Sequence, residues 1–147
     1  MGVEDALAFV DAGVFLYACD ASAGQRHERA AELVGDLGAR RRGAISVQVL
    51  QEFNVNATRK IAEPLAHADA LGRVRGRVRA LGRWPLHAPR ADDVVGAAEL
   101  ARSEQLSFWD AMIIRSAVAL GCHTLWSEDL DAGQRIARVT VRNPFTT

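Results

Sequence analysis

Four carboxylates in this 147-residue chain occupy positions suited to chemistry. Asp11 directly follows the apolar run Leu7-Ala8-Phe9-Val10, which reads as a buried strand. Glu52 lies six residues past Ser46, inside a helix that Ser46 is placed to cap. Asp110 stands in the first turn of a third element, among Phe108, Trp109, Ala111 and Met112. A carboxylate in so apolar a segment needs a reason, because burying an unpaired charge is costly. Asp129 follows another short apolar strand, in Ser127-Glu128-Asp129. Ligands of open α/β sheets bind outside the carboxyl ends of the strands, so Asp11 and Asp129 share one candidate crevice. Gathered there, the four acids suit hard divalent cations, Mg²⁺ or Mn²⁺, held by oxygen ligands and water. Two such ions activate a water and stabilise the leaving oxygen of a phosphodiester.

Each acid also has a plainer explanation. Ser107-x-x-Asp110 fits a capping box, Glu52 a solvated helix position and Asp129 a turn cap. Asp11 is the hardest to explain that way. His27, His67, His87 and His123 show no H-x-x-x-H spacing and read as surface or structural residues.

The elements that must position these acids follow from periodicity. Ala30, Leu33, Val34 and Leu37 predict a helix over Gln25 to Leu37. Gly43-Ala44-Ile45 predicts a second strand, and Val49, Leu50, Phe53 and Ala57 an apolar face on a helix running to about Arg59. Leu71, Val74, Val78 and Leu81 favour a helix through the arginine-rich stretch, although Gly72, Gly76 and Gly82 weaken it. Trp84-Pro85-Leu86-His87 reads as an extended link or strand. Asp92 and Asp93 mark a first helical turn ahead of Val94, Val95, Ala98 and Ala101. Ser107 opens a strongly apolar helix through Ala119, with Gly121 as its terminating glycine. Thr124-Leu125-Trp126 and Val139-Thr140-Val141 complete four strands. Apolar strands alternating with amphipathic helices predict an α/β sandwich around a parallel sheet, in a single domain over residues 1–147.

Composition narrows the class. With 49% hydrophobic and 24% charged residues the chain is of ordinary globular make-up, neither disordered nor collagen-like. Two isolated cysteines, Cys19 and Cys122, offer no C-x-x-C pair, and with no signal peptide they fit a reducing cytoplasm. The longest apolar run, Ala12 to Cys19, is far too short to span a bilayer. Eighteen basic residues balance eighteen acidic ones, which excludes a generic polycation. That zero is a cancellation: residues 70–91 hold Arg73, Arg75, Arg77, Arg79, Arg83 and Arg90 and no acid. The stretch is either a solvated helix face or a phosphate-contacting rim beside an acidic pocket.

In order and spacing, several strings resemble the PIN-domain ribonucleases, and most closely the VapC-type toxins of toxin–antitoxin pairs. They are Phe9-Val10-Asp11, Val49-Leu50-Gln51-Glu52-Phe53 with Asn56-Ala57-Thr58, Ser107-Phe108-Trp109-Asp110-Ala111, Ser127-Glu128-Asp129-Leu130 and Asn143-Pro144-Phe145. The resemblance implies a three-layer α/β/α sandwich with a central, mostly parallel sheet. It implies an endoribonuclease dependent on Mg²⁺ or Mn²⁺, with Asp11 and Asp110 as direct ligands. Glu52 and Asp129 would then ligate directly or through water. It further implies a homodimer and a small antitoxin partner covering the groove.

In one place the chain departs from the pattern. Related sequences usually follow the first acid with a small hydroxyl residue and then a polar one, where this chain has Ala12 and Gly13. Such side chains would organise the acids from behind. Their loss opens an alternative, a catalytically degenerate PIN-like domain that binds RNA or a protein without cleaving. A phosphatase or receiver of similar layout fits less well. The phosphatase would place a second Asp where Gly13 stands, and the receiver's lysine near the last strand is missing.

Overall fold

The computed structural model describes residues 6–60 and 67–146. Six strands, β1 (Ala8–Val10), β2 (Gly43–Ser46), β3 (Leu86–His87), β4 (Thr124–Trp126), β5 (Arg135–Ile136) and β6 (Val139–Arg142), form one sheet. Their order is β3-β2-β1-β4-β6-β5, with every pairing parallel except β5 with β6. Between them run α1 (Ala12–Ala18), α2 (Gln25–Arg40), α3 (Val47–Lys60), α4 (His67–Leu81), α5 (Ala91–Glu104) and α6 (Phe108–Ala119).

The chain builds outward from β1 through β2 to β3, then returns across the sheet to β4 on the other side of β1. Right-handed crossovers in opposite directions place their helices on opposite faces. The packing agrees: α1 packs on α2 and α3, and α3 on α4, whereas α5 packs on α6. This is the expected three-layer α/β/α arrangement. A reversal of this kind marks the carboxyl ends of β1 and β4 as the place where such sheets take ligands.

The core lies between sheet and helices. Phe9, Val10, Ile45, Leu125, Val139 and Val141 of the strands are buried against Phe15, Val49, Phe53 and Ile114. Short, fully apolar strands are what a sheet covered on both faces requires. Trp84 fills the space left by Gly43: a Cβ there would lie 2.2 Å from Trp84 Cζ3. The indole in turn meets Phe15 edge-on, with ring centroids 5.3 Å apart.

Most expected elements form. Ser46 Oγ accepts from Val49 N at 3.4 Å and Ser107 Oγ from Asp110 N at 3.0 Å, so both serines cap their helices. Gly121, at φ 72°, ends α6 with the bonds Gly121 N to Val118 O and Cys122 N to Ala117 O. The arginine-rich stretch is helical, with Val74 buried on its apolar stripe. Three features depart from the expectation. The run Ala12–Ala18 is a helix that begins immediately after Asp11, whose carboxylate caps it. A two-residue strand, β5, joins the sheet edge. On α5 it is Ala97 that is buried, while Val94 and Val95 face outward.

A polar cluster ties the edge strand β3 to both helices of the second face. His87 Nδ1 lies 2.8 Å from the buried Ser116 Oγ of α6, and His87 Nε2 lies 3.4 Å from Asp93 Oδ2 of α5. Asp93 also accepts from Arg115 Nε at 3.0 Å and from Arg90 N at 2.9 Å, and these donors hold its carboxyl below the usual range. Among the described residues, His87 and His27 are therefore structural; His27 Nδ1 lies 3.0 Å from Tyr17 O. His123 is exposed, and the side chain of His67 falls outside the described residues. Both cysteines are free, Cys19 exposed and Cys122 buried, with burial pushing the Cys122 thiol up to about 12.

Candidate active site

Asp11 sits at the switch between β1 and α1. Its backbone N–H continues the sheet, donating to Trp126 O of β4 at 3.0 Å, and its side chain turns to cap α1. Oδ1 accepts from Ala12 N at 2.8 Å, and Oδ2 accepts from Ser127 Oγ at 2.9 Å. Ser127 Oγ also accepts from Asp129 N at 3.1 Å, so one buried hydroxyl fixes Asp11 and the loop that carries Asp129. The sheet order makes this possible, because β1 and β4 are neighbours and end side by side.

A second bridge links the other two acids. Gln48 Nε2 of α3 donates to Glu52 Oε1 at 2.9 Å and reaches Trp109 O of α6 at 3.2 Å. Gln48 and Glu52 are one helical turn apart, the spacing at which side chains meet. Asp110, the next residue after Trp109, is thereby held opposite α3.

The electrostatics single out Asp11. It is 7% exposed, whereas Glu52 and Asp110 are half-buried and Asp129 is exposed. The apolar neighbours of Asp110 do not bury it fully: in the first turn of α6 Ala111 is buried and Trp109 exposed, and Asp110 lies between them in exposure. Burial pushes the Asp11 carboxyl up to about 6; the charges of Asp129 and Glu52 add to this, and the bonds from Ser127 and Ala12 oppose it. Asp129 is raised in the same direction by partial desolvation, by Glu128 and by Asp110. These mutual effects place all four acids within one field.

Among the described residues, none of the four pairs with a lysine, arginine or histidine. The neighbouring Glu128 does, being held by Arg26, whose guanidinium also lies over the Tyr17 and Phe145 rings. Nor do any three acidic, histidine or cysteine side chains among the described residues stand close enough together to grip a metal ion as they are. Four like charges facing one crevice repel, and side chains at its rim have room to turn away. The donor set still fits a hard cation: oxygen atoms only, excess negative charge, and one carboxylate whose ionisation is penalised until a cation offsets it. Mg²⁺ in particular keeps several waters and asks for only one or two direct carboxylates.

Ser127 and Gln48 are the positioning residues of the site. Gln48 lies four residues before Glu52, and that helical spacing was the available signal for it. The basic stretch lies on α4, where the helix divides its arginines. Arg73 and Arg77 line a cavity of about 500 Å³ with Lys60 and Cys19, while Arg75 and Arg79 point elsewhere; none of the four acids lines that cavity. No helix among the described residues is long and apolar enough to cross a membrane.

Comparison with known proteins agrees with the fold. The PIN domain model matches residues 8–139. No curated protein matches the sequence significantly. Among solved structures, a toxin–antitoxin complex from Klebsiella pneumoniae superposes with a TM-score of 0.67 at 19% identity, covering 95% of this chain and 99% of the other. The sarcin–ricin-loop-cleaving toxin VapC20 of Mycobacterium tuberculosis gives 0.63 at 22% identity, over 90% and 98%. VapBC2 of Rickettsia felis, bound to a DNA fragment of its promoter, gives 0.62 at 17% identity, over 93% and 98%. At these identities the structures share the fold. With the family match spanning nearly its whole length, the chain belongs to the PIN-domain family.

Proposed function

We propose that the chain is a metal-dependent endoribonuclease that hydrolyses RNA phosphodiester bonds, and that it is the toxin of a toxin–antitoxin pair. The observation that carries the reading is Asp11: a buried carboxylate at the sheet's switch point, organised by Ser127, within the field of Asp129 and Glu52, and with no basic partner among the described residues. Asp11 and Asp110 would hold Mg²⁺ or Mn²⁺ directly, with Glu52 and Asp129 acting directly or through water. When bound, the cation polarises the phosphate and makes water a stronger nucleophile. The protein's part is to keep the acids in register. Ser127 fixes Asp11 and the Asp129 loop together, and Gln48 fixes Glu52 against the first turn of α6. The ribonuclease and toxin–antitoxin character of structures sharing the fold supports RNA as substrate and an antitoxin as partner. A homodimer in the cytoplasm completes the reading.

The test is cleavage of total RNA with and without Mn²⁺, comparing the natural protein with Asp110→Asn and Asp11→Asn. Cleavage should need the metal and be lost in both variants. Full-rate cleavage in EDTA, or in both variants, overturns the proposal. Ala12 and Gly13, standing where related sequences carry a polar pair, raise a second reading, a degenerate domain that binds without cutting. Calorimetry separates the two, since a degenerate site takes up little or no Mn²⁺ specifically.

A further inference from the structure

Two of the three tryptophans are occupied within the fold. Trp84 is wedged between Phe15 and Gly43, and Trp126 lies beneath the Arg142 guanidinium, 4.7 Å from its ring centroid. Trp109 is 64% exposed, more than any other large apolar side chain among the described residues. Its neighbour Phe108 meets it edge-on, with centroids 5.1 Å apart and planes at 75°, which props the indole and leaves most of it open. The position is also fixed from behind. Trp109 O accepts from the same Gln48 nitrogen that holds Glu52, and the next residue is Asp110.

An exposed indole on a rigid helical turn, next to Asp110 and bridged to Glu52 through Gln48, has a particular use. Phosphates approaching the crevice are repelled until a cation is present, so contacts to parts of the substrate that carry no charge add affinity there that the acids do not oppose. A nucleobase is such a part: it is flat, neutral and apolar on its faces, and stacking on aromatic side chains contributes to binding whatever the base. Only an unpaired nucleotide offers a free face, because bases in a duplex are already stacked on both sides.

We infer that Trp109 is a base-stacking platform that seats one unpaired nucleotide next to the phosphodiester held by the acidic site. The inference rests on the ribonuclease reading and sharpens it, making Trp109 a residue that sets affinity.

The experiment is fluorescence anisotropy of labelled single-stranded RNA oligomers in Ca²⁺, with a parallel set carrying one abasic nucleotide at each position in turn. Trp109→Ala should weaken binding about tenfold and Trp109→Phe should keep most of it. At one position the abasic substitution should weaken the natural protein by a similar factor and leave Trp109→Ala almost unaffected, because both changes remove the same contact. Thermal melting should show Trp109→Ala folded, as expected for so exposed a side chain. Equal RNA affinity for the natural protein and Trp109→Ala overturns the inference and leaves the ribonuclease reading standing. So does a loss that is the same with every abasic oligomer. Binding that depends on Trp109, without cleavage in Mn²⁺, upholds the platform and overturns the ribonuclease reading. No RNA binding at all overturns both.

Discussion

Asp11→Asn should make the metal-free protein more stable, the reverse of what most buried substitutions do. The structure sets the size of the effect. Burial, aided by Asp129 and Glu52, lifts the Asp11 carboxyl from 3.8 to about 6. At about 1.4 kcal/mol for each tenfold change in an equilibrium, that difference is on the order of 3 kcal/mol against the ionised form in the folded state. The unfolded chain releases this proton near 3.8 and the folded chain near 6, so between those values the folded state binds more protons. Stability from this group therefore falls as pH rises through that window; the penalty is complete above it and absent below it. Asparagine keeps an acceptor for the Ala12 N–H and offers Ser127 Oγ a donor, without the charge.

Urea unfolding followed by circular dichroism in EDTA reads this directly. Near pH 8 the variant should exceed the natural protein by up to about 3 kcal/mol, and the difference should shrink to a fraction of that by about pH 4 and close below it. Mn²⁺ at a thousand times Kd should reverse the order, because only the natural protein gains from it, by about 4.1 kcal/mol. An Asp11→Asn variant that is less stable than the natural protein at pH 8 in EDTA, or a difference that ignores pH, refutes the argument that this charge is buried without a partner.

Other perturbations test the surrounding structure. Ser127→Ala removes the hydroxyl shared by Asp11 and the Asp129 loop, and Mn²⁺ affinity should drop by about 10–100-fold in calorimetry; unchanged affinity would mean the acids hold themselves. Gly43→Ala drives a Cβ into Trp84, so it should destabilise by roughly 1–3 kcal/mol in urea, and Trp84→Leu should recover part of that loss. Arg75→Glu combined with Arg79→Glu tests whether the exposed face of α4 meets phosphate. Two lost contacts should weaken RNA binding and flatten its logarithmic salt slope by about 1.4, whereas an unchanged slope marks a merely solvated face.

What the sequence could reveal was governed by whether a feature is local. The ends of β1 and β4 were legible because short apolar runs broken by acids leave few alternatives, and the strand-end rule then placed Asp11 and Asp129 together. The helix α1 was not legible. Ala12 to Ala18 is apolar throughout, so no polar face marks its period, and it folds as a helix because Asp11 caps it and the core takes Val14 and Phe15. The strand β5 is two residues long, too short for any periodicity, and exists only through its partner, whereas β3 falls within the stretch 84–87 read as an extended link or strand. Equally, nothing local separates Trp109 from Trp84 and Trp126. The latter two are covered by residues distant in sequence, Gly43 and Arg142, and Trp109 is left open because α6 begins at the rim.

The absent polar pair after Asp11 looks different once Ser127 is in view. Side chains at 12 and 13 would organise the acid from its own strand end, but Ala12 is buried and contributes only its N–H. A Cβ at Gly13 would meet nothing within 4 Å, so no crowding demands glycine there. The organising hydroxyl comes instead from the neighbouring strand end, where Ser127 bonds Asp11 and the Asp129 backbone at once. That arrangement spans two of the four acids, which a residue adjacent to Asp11 in sequence would do less directly. Missing polar residues at 12 and 13 therefore do not by themselves argue for a dead site. What a dead site would lack is a use for an ionised Asp11, whose burial works against the fold at neutral pH until a cation offsets it. A domain that only docked RNA or a protein would be better served by the asparagine, and the stability and Mn²⁺ measurements on Asp11→Asn address that choice without any assay of cleavage.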